Sequence, residues 1–143
     1  MIEKIKKQIL ESAAVKENMT EACVADMEAA AIIMIGCIKN GGKILWCGNG
    51  GSAGDAQHLA TELMGGMTSH DRKPIPSIAL TTDTSFLTAW ANDTDFESIF
   101  SRQVQGLGRE GDVLVGISTS GNSENVIAAV KQAKYKELKT IVF

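Results

Sequence analysis

Two short stretches of this 143-residue sequence combine residue types that suit an anionic ligand. Ser118-Thr119-Ser120-Gly121-Asn122-Ser123 places four hydroxyls ahead of a helix-forming run. Hydroxyls, free backbone N–H groups and the positive end of a helix dipole all favour negative charge, and together they suit a phosphate. The second stretch is Cys47-Gly48-Asn49-Gly50-Gly51-Ser52. Its glycines let the backbone approach a ligand, and Ser52 with Asp55 has the spacing of a capping box. Each loop taken alone also reads as a capped turn of small polar residues. Two of them, each after an apolar run, strengthen the phosphate reading. Neither is a Walker A loop, because no lysine follows the glycines, and Gly48-Asn49-Gly50-Gly51 does not fit the dinucleotide fingerprint.

His58 and Glu62 form a second constellation. Four residues apart on a predicted helix, their side chains share one face. Such a pair can bind a metal ion or exchange protons as general acid and base. A plain surface hydrogen bond is the commoner meaning of the bare spacing. His70, beside Asp71 and Arg72 in an irregular segment, reads as a solvated loop residue. Asn92-Asp93 ends an apolar stretch, where it would terminate one helix or cap the next. It becomes functional if that turn faces the same crevice.

The elements that must position these residues follow from periodicity. Ile2, Ile5, Ile9 and Ala13 mark an amphipathic helix. A second helix is expected from near Thr20 through Met27, Ile32, Ile35 and Ile38 to the stop at Asn40-Gly41-Gly42. It is apolar on most faces and so is expected to be buried or at a subunit interface. Met19, Met27 and Met34 read as core or interface fillers. Strand patterns then appear at 43–47, 77–80, 112–117 and 139–143. They alternate with helical stretches near 52–64, 85–91, 96–107 and 124–135. Apolar runs alternating with helices predict a parallel sheet covered on both faces. In such sheets ligands bind beyond the carboxyl ends of the strands, where both loops lie.

Composition narrows the classes. The chain is 44% hydrophobic and 22% charged with a net charge of −3, which excludes a disordered chain and gives no footprint for nucleic acid. Cys23, Cys37 and Cys47 lack the spacing of a disulfide framework or a zinc ribbon, and read as reduced thiols of a cytoplasmic protein. The N-terminus mixes charge with apolar residues, unlike a signal peptide, and the apolar run 29–38 is about half a membrane span. Trp46 and Trp90 read as packing residues.

The residues together resemble a known family. Cys47-Gly48-Asn49-Gly50-Gly51-Ser52, Asp55-Ala56-Gln57-His58, Glu62-Leu63, Leu80-Thr81-Thr82-Asp83-Thr84-Ser85, Asn92-Asp93, Phe100-Ser101-Arg102-Gln103-Val104 and Gly116-Ile117-Ser118-Thr119-Ser120-Gly121-Asn122-Ser123 occur in the order and at the separations of the phosphoheptose isomerases. These are members of the sugar-isomerase (SIS) domain family. The hydroxyl loop marks SIS domains generally; the glycine loop with His58 and Glu62 marks this isomerase group.

The resemblance implies a three-layer α/β/α sandwich, flavodoxin-like, with a five-stranded parallel sheet and N-terminal helices. It implies a cytoplasmic homotetramer with sites at subunit interfaces, and no nucleic-acid or membrane partner. The implied reaction converts sedoheptulose 7-phosphate to D-glycero-D-manno-heptose 7-phosphate through an enediol, for heptose and lipopolysaccharide-core synthesis. Ser118, Thr119, Ser120 and Ser123 would hold the phosphate. Asn49, Gly50, Gly51, Ser52, Asn92 and Asp93 would contact the substrate. His58 and Glu62 would bind zinc, and Glu62 would also move a proton. The same scaffold serves in a non-catalytic partner of the bacterial replication initiator, and a sugar-phosphate sensor is a further alternative. Glu62 favours the enzyme over both.

The sequence departs from the family pattern in two places. The family continues through a further strand and a long helix carrying a Gln and a His that complete the metal site. Residues 1–143 are therefore expected to be a single SIS domain shortened at its C-terminus, with an incomplete zinc site and weak activity. Where the family has Gly-Arg after the metal-binding helix, this chain has Gly65-Gly66.

Overall fold

The computed structural model describes every residue from Met1 to Phe143, in two compact units, Met1–Ile32 and Ile33–Phe143. The first unit holds helix α1 (Ile2–Ala22) and the start of α2 (Val24–Lys39). The second helix begins later than its periodicity predicts. Thr20 lies inside α1, where its hydroxyl donates to the Glu17 carbonyl at 2.7 Å and so does not cap a new helix. The break falls at Cys23, whose N–H still bonds Met19. No residue of α1 is buried, and Ile2, Ile5, Ile9 and Leu10 are exposed. Of the two expectations for α2, burial within the chain is not met, and the subunit-interface alternative stands. Only Cys37 is buried, while Ile32 and Ile35 stand more than half exposed. A helix apolar around most of its circumference needs neighbours on several sides.

The second unit is built on a four-stranded parallel sheet, one strand fewer than the resemblance implies. It comprises β1 (Ile44–Gly48), β2 (Ser77–Ala79), β3 (Val113–Ile117) and β4 (Lys139–Val142), in the order β2-β1-β3-β4. Every residue of β1 is buried, which explains a run of Ile, Leu, Trp and Cys without polar alternation. Between the strands lie α3 (Gly51–Gly65), α4 (Thr84–Asp93), α5 (Ile99–Leu107) and α6 (Glu124–Tyr135). The chain steps from β1 outward to β2, returns past β1 to β3, and continues to β4. Right-handed crossovers in opposite directions put α3 on one face and α5 and α6 on the other. Leu45, Cys47 and Leu114 form the main core with Phe100, Val104, Val126 and Ala129. Helix α5 starts at Ile99 rather than Phe96, because Asp95 Oδ1 accepts the Ser98 N–H at 2.6 Å and holds the preceding residues in a turn.

The direction of winding reverses between β1 and β3. These strands pair in register from Ile44↔Val113 to Gly48↔Ile117, so their carboxyl ends finish side by side. A crevice at that switch point is where an open α/β sheet binds its ligand.

Candidate active site

The loop after β3 and the loop after β1 open at this switch point. Gly48 could not be another residue: a Cβ there would lie 2.8 Å from the Ser52 carbonyl oxygen and 2.9 Å from that of Ile117. Gly50 turns the chain into α3 with φ +54°, a conformation that costs glycine little. The capping box expected from Ser52 and Asp55 does not form. Helix α3 starts one residue before Ser52, Gly50 is its cap, and no side chain bonds its first N–H groups.

In the second loop the hydroxyls face one another. Ser118 Oγ lies 3.0 Å from Ser123 Oγ and 3.4 Å from Ser120 Oγ. A turn at Gly121, with φ +67°, is closed by Gly121 N–H to the Ser118 carbonyl at 3.1 Å, and Ser120 Oγ accepts the Asn122 N–H at 3.2 Å. Ser123 precedes α6 but makes no side-chain cap bond. The N–H groups of Ser120, Ser123 and Glu124 find no acceptor within the chain. Clustered hydroxyls, free N–H groups and a helix N-terminus together make an anion-binding arrangement. Thr119 belongs to the same exposed turn.

His58 and Glu62 share one face of α3, with Nε2 and Oε1 3.7 Å apart. His58 is 69% exposed and Glu62 26%, so both remain open to a ligand. Nitrogen and carboxylate oxygen are suitable zinc donors, and the pair fits two positions of a site that needs three or four protein ligands. No third His, Cys, Asp or Glu joins them in this chain. His70 instead bonds the Gly65 carbonyl at 3.1 Å, on the surface as expected of a solvated loop residue.

Where the family pattern expects an arginine, Gly66 has φ +94°, and a Cβ there would collide with the Ser69 carbonyl oxygen. A guanidinium nevertheless occupies this neighbourhood. Arg72 Nη2 donates to the Glu62 carbonyl at 2.6 Å, beside the Gly66 N–H at 3.0 Å. Asn92 and Asp93 close α4, where Asn92 Nδ2 donates to Asp93 Oδ1 at 2.9 Å. No hydrogen bond joins them to either loop. Cys47, the last side chain before the glycine loop, is fully buried, and burial pushes its thiol up to about 12. It is therefore packing material and not a nucleophile.

Asn125 escaped the sequence reading altogether, while Arg72 was named there only as a neighbour of His70 and Gln103, whose amide holds the Leu80 carbonyl at 2.8 Å, only within the motif 100–104, neither with a role. Asn125 alone left a signal, since asparagine in a helix favours alternative hydrogen bonds and asks for a reason.

The sequence and the fold are similar to those of known proteins. Residues 9–143 match the SIS domain model. The phosphoheptose isomerase of Aromatoleum aromaticum is 52% identical over 141 residues, covering 99% of this chain and 71% of that protein. The Aquifex aeolicus phosphoheptose isomerase is 52% identical over 143 residues, 74% of its length. The chain belongs to the phosphoheptose isomerase group of the SIS-domain family. Solved structures of its members share the fold. The phosphoheptose isomerase of Neisseria gonorrhoeae superposes with a TM-score of 0.91 at 49% identity, over 98% of this chain and 72% of that one. That of Francisella tularensis gives 0.94 at 40% identity, over 99% of this chain and 73% of that one. Both loops and the His58–Glu62 pair thus lie on the scaffold of an isomerase that acts on a sugar phosphate.

Proposed function

We propose that the chain interconverts sedoheptulose 7-phosphate and D-glycero-D-manno-heptose 7-phosphate, supplying heptose for lipopolysaccharide-core synthesis. The observation that carries this reading is the placement of His58 and Glu62 on the helix that starts at the glycine loop. That loop ends beside the hydroxyl loop at the switch point. Ser118, Thr119, Ser120 and Ser123 hold the phosphate, with the free N–H groups at the start of α6. Asn49, Gly50, Gly51 and Ser52 contact the sugar, as do Asn92 and Asp93 when the substrate spans to α4. Glu62 takes a proton from the carbon next to the carbonyl and returns it to the neighbouring carbon, through a cis-enediol(ate). A partly shielded carboxylate with a histidine on its face suits that shuttle.

His58 and Glu62 would hold a zinc ion as two of its ligands. When bound, the ion supplies positive charge that stabilises the charge developing on the substrate oxygens. The exposed apolar residues of α1 and α2 support assembly as a homotetramer, since patches of this kind mark interaction surfaces. No helix is long and apolar enough to cross a membrane, and a cytoplasmic enzyme fits that finding.

Glu62→Gln tests the assignment. The substitution keeps the side chain's size and removes its basicity, so isomerisation of sedoheptulose 7-phosphate is expected to fall by at least about a hundredfold. The unfolding midpoint should stay unchanged. Turnover equal to the unsubstituted chain would defeat the role given to Glu62. A chain that captures a replication initiator and binds no sugar phosphate would favour the non-catalytic reading.

A further inference from the structure

The two loops of the site are joined by a single side-chain link. Asn49 Nδ2 donates to Asn125 Oδ1 at 2.8 Å, and Asn125 Nδ2 donates back to Asn49 Oδ1 at 2.9 Å. Each amide uses one donor and its acceptor on the other, a closed pair across 76 residues of sequence. Asn125 is only 3% exposed and lies in the first turn of α6, two residues after Ser123. Asn49 follows β1 directly, and its carbonyl accepts the Ala53 N–H at 3.3 Å at the start of α3. The pair therefore ties the start of the helix bearing His58 and Glu62 to the start of the helix bearing the hydroxyl loop.

We infer that Asn125 is a positioning residue for the isomerase reaction, acting through Asn49. The phosphate and the reacting carbons lie at opposite ends of one substrate, and the two ends meet different loops. Binding energy at the phosphate can orient the sugar only if the loops keep a fixed separation. The reciprocal amide pair is the side-chain bond that enforces it. The pairing also defines Asn49's part. With one lone pair of its carbonyl oxygen and one N–H engaged, its side chain has one N–H and one lone pair left for substrate.

This inference rests on the sugar-phosphate site described above, and the test separates the two. Binding of inorganic phosphate and of sedoheptulose 7-phosphate to the full chain is measured by calorimetry for the unsubstituted chain, Asn125→Ala and Asn125→Asp. Loss of the pair in Asn125→Ala should leave phosphate affinity within about twofold and weaken the sugar phosphate about tenfold, the scale of one or two lost buried hydrogen bonds. An equal loss for both ligands would mean a merely structural role and overturn the inference, as would no loss for either. If the unsubstituted chain binds neither ligand, the site reading fails and the inference fails with it.

Asn125→Asp guards against a misfolded alanine variant. As a carboxylate it faces the Asn49 carbonyl oxygen acceptor to acceptor; protonated, it regains one donor and one acceptor and can rebuild the pair. Its sugar-phosphate affinity, as a ratio to the unsubstituted chain at each pH, should therefore recover on acidification from about pH 8 to about pH 5. A ratio that stays flat with pH would overturn the positioning role.

Discussion

The two rims of the sheet treat their polar groups in opposite ways. At the rim where β1 and β3 begin, the Asp112 carboxylate is almost fully buried. It accepts the Lys43 N–H at 2.9 Å, the Lys43 ammonium at 2.5 Å and the Arg109 N–H at 2.8 Å. These partners fix the two strand starts to each other. At the rim where the same strands end, hydroxyls share bonds among themselves, the N–H groups of Ser120, Ser123 and Glu124 have no acceptor, and the buried Thr81 hydroxyl after β2 has no partner. Satisfied polar groups stabilise a fold, whereas unsatisfied ones of matching character await a ligand. Only the second rim has spare capacity for chemistry.

Removing the central group of each rim should therefore have different consequences. Asp112→Ala leaves the Lys43 ammonium half-buried without its partner and frees two backbone N–H groups, so folding should lose about 3 kcal/mol. Urea denaturation measures that loss, while phosphate affinity at denaturant-free equilibrium stays unchanged. A loss below about 0.5 kcal/mol would put this ion pair among ordinary surface pairs and break the contrast.

The opposite pattern is expected for the hydroxyl loop. The double substitution Ser118→Ala with Ser120→Ala should weaken inorganic phosphate about tenfold, equivalent to about 1.4 kcal/mol. Stability should be nearly unaffected, since these hydroxyls contribute little before a ligand arrives. Calorimetric titration alongside a melting curve reads both. A large drop in melting temperature with phosphate affinity intact would reverse the roles of the two rims.

A smaller effect concerns the thiol beneath the glycine loop. Burial raises Cys47 from 9.0 to about 12 in the folded chain. The unfolded chain releases that proton first, so stability is complete below about pH 9 and falls as pH rises toward the folded value. Near pH 9.5 the loss should be roughly 1 kcal/mol. Denaturation at pH 7.5 and 9.5, compared with Cys47→Ala, isolates it: the variant is less stable at both values, but its dependence on pH should be shallower. Cys37, also raised, by burial first and by the Asp112 charge second, contributes in the same direction.

The units that carry the site were readable because their signals are local. An apolar run, a glycine- or serine-rich turn and a helical stretch define β1–loop–α3 and β3–loop–α6, and the observed boundaries agree within a residue or two. Local signals misled at two helix starts. Thr20 bonds back to Glu17 instead of capping α2, and α3 starts at Gly51 and leaves Ser52 uncapped against Asp55. For α2 the choice between burial and a subunit interface stayed open for another reason: periodicity shows which face is apolar but not which surface covers it.

The order of strands and helices, the composition of both loops and the shared face of His58 and Glu62 can be read along the chain, because each depends on residues within a few positions of one another. That β1 lies beside β3 emerges only on folding, since pairing depends on how all the strands share the sheet. Lys43 meets Asp112 across 69 residues and Asn49 meets Asn125 across 76 only because that pairing sets their strands and loops side by side. Arg72 reaches the Glu62 carbonyl only because Gly66 can turn with positive φ and fold the chain back under α3. Such contacts are settled by burial and by the need to satisfy polar groups out of water, which no short stretch of sequence can express.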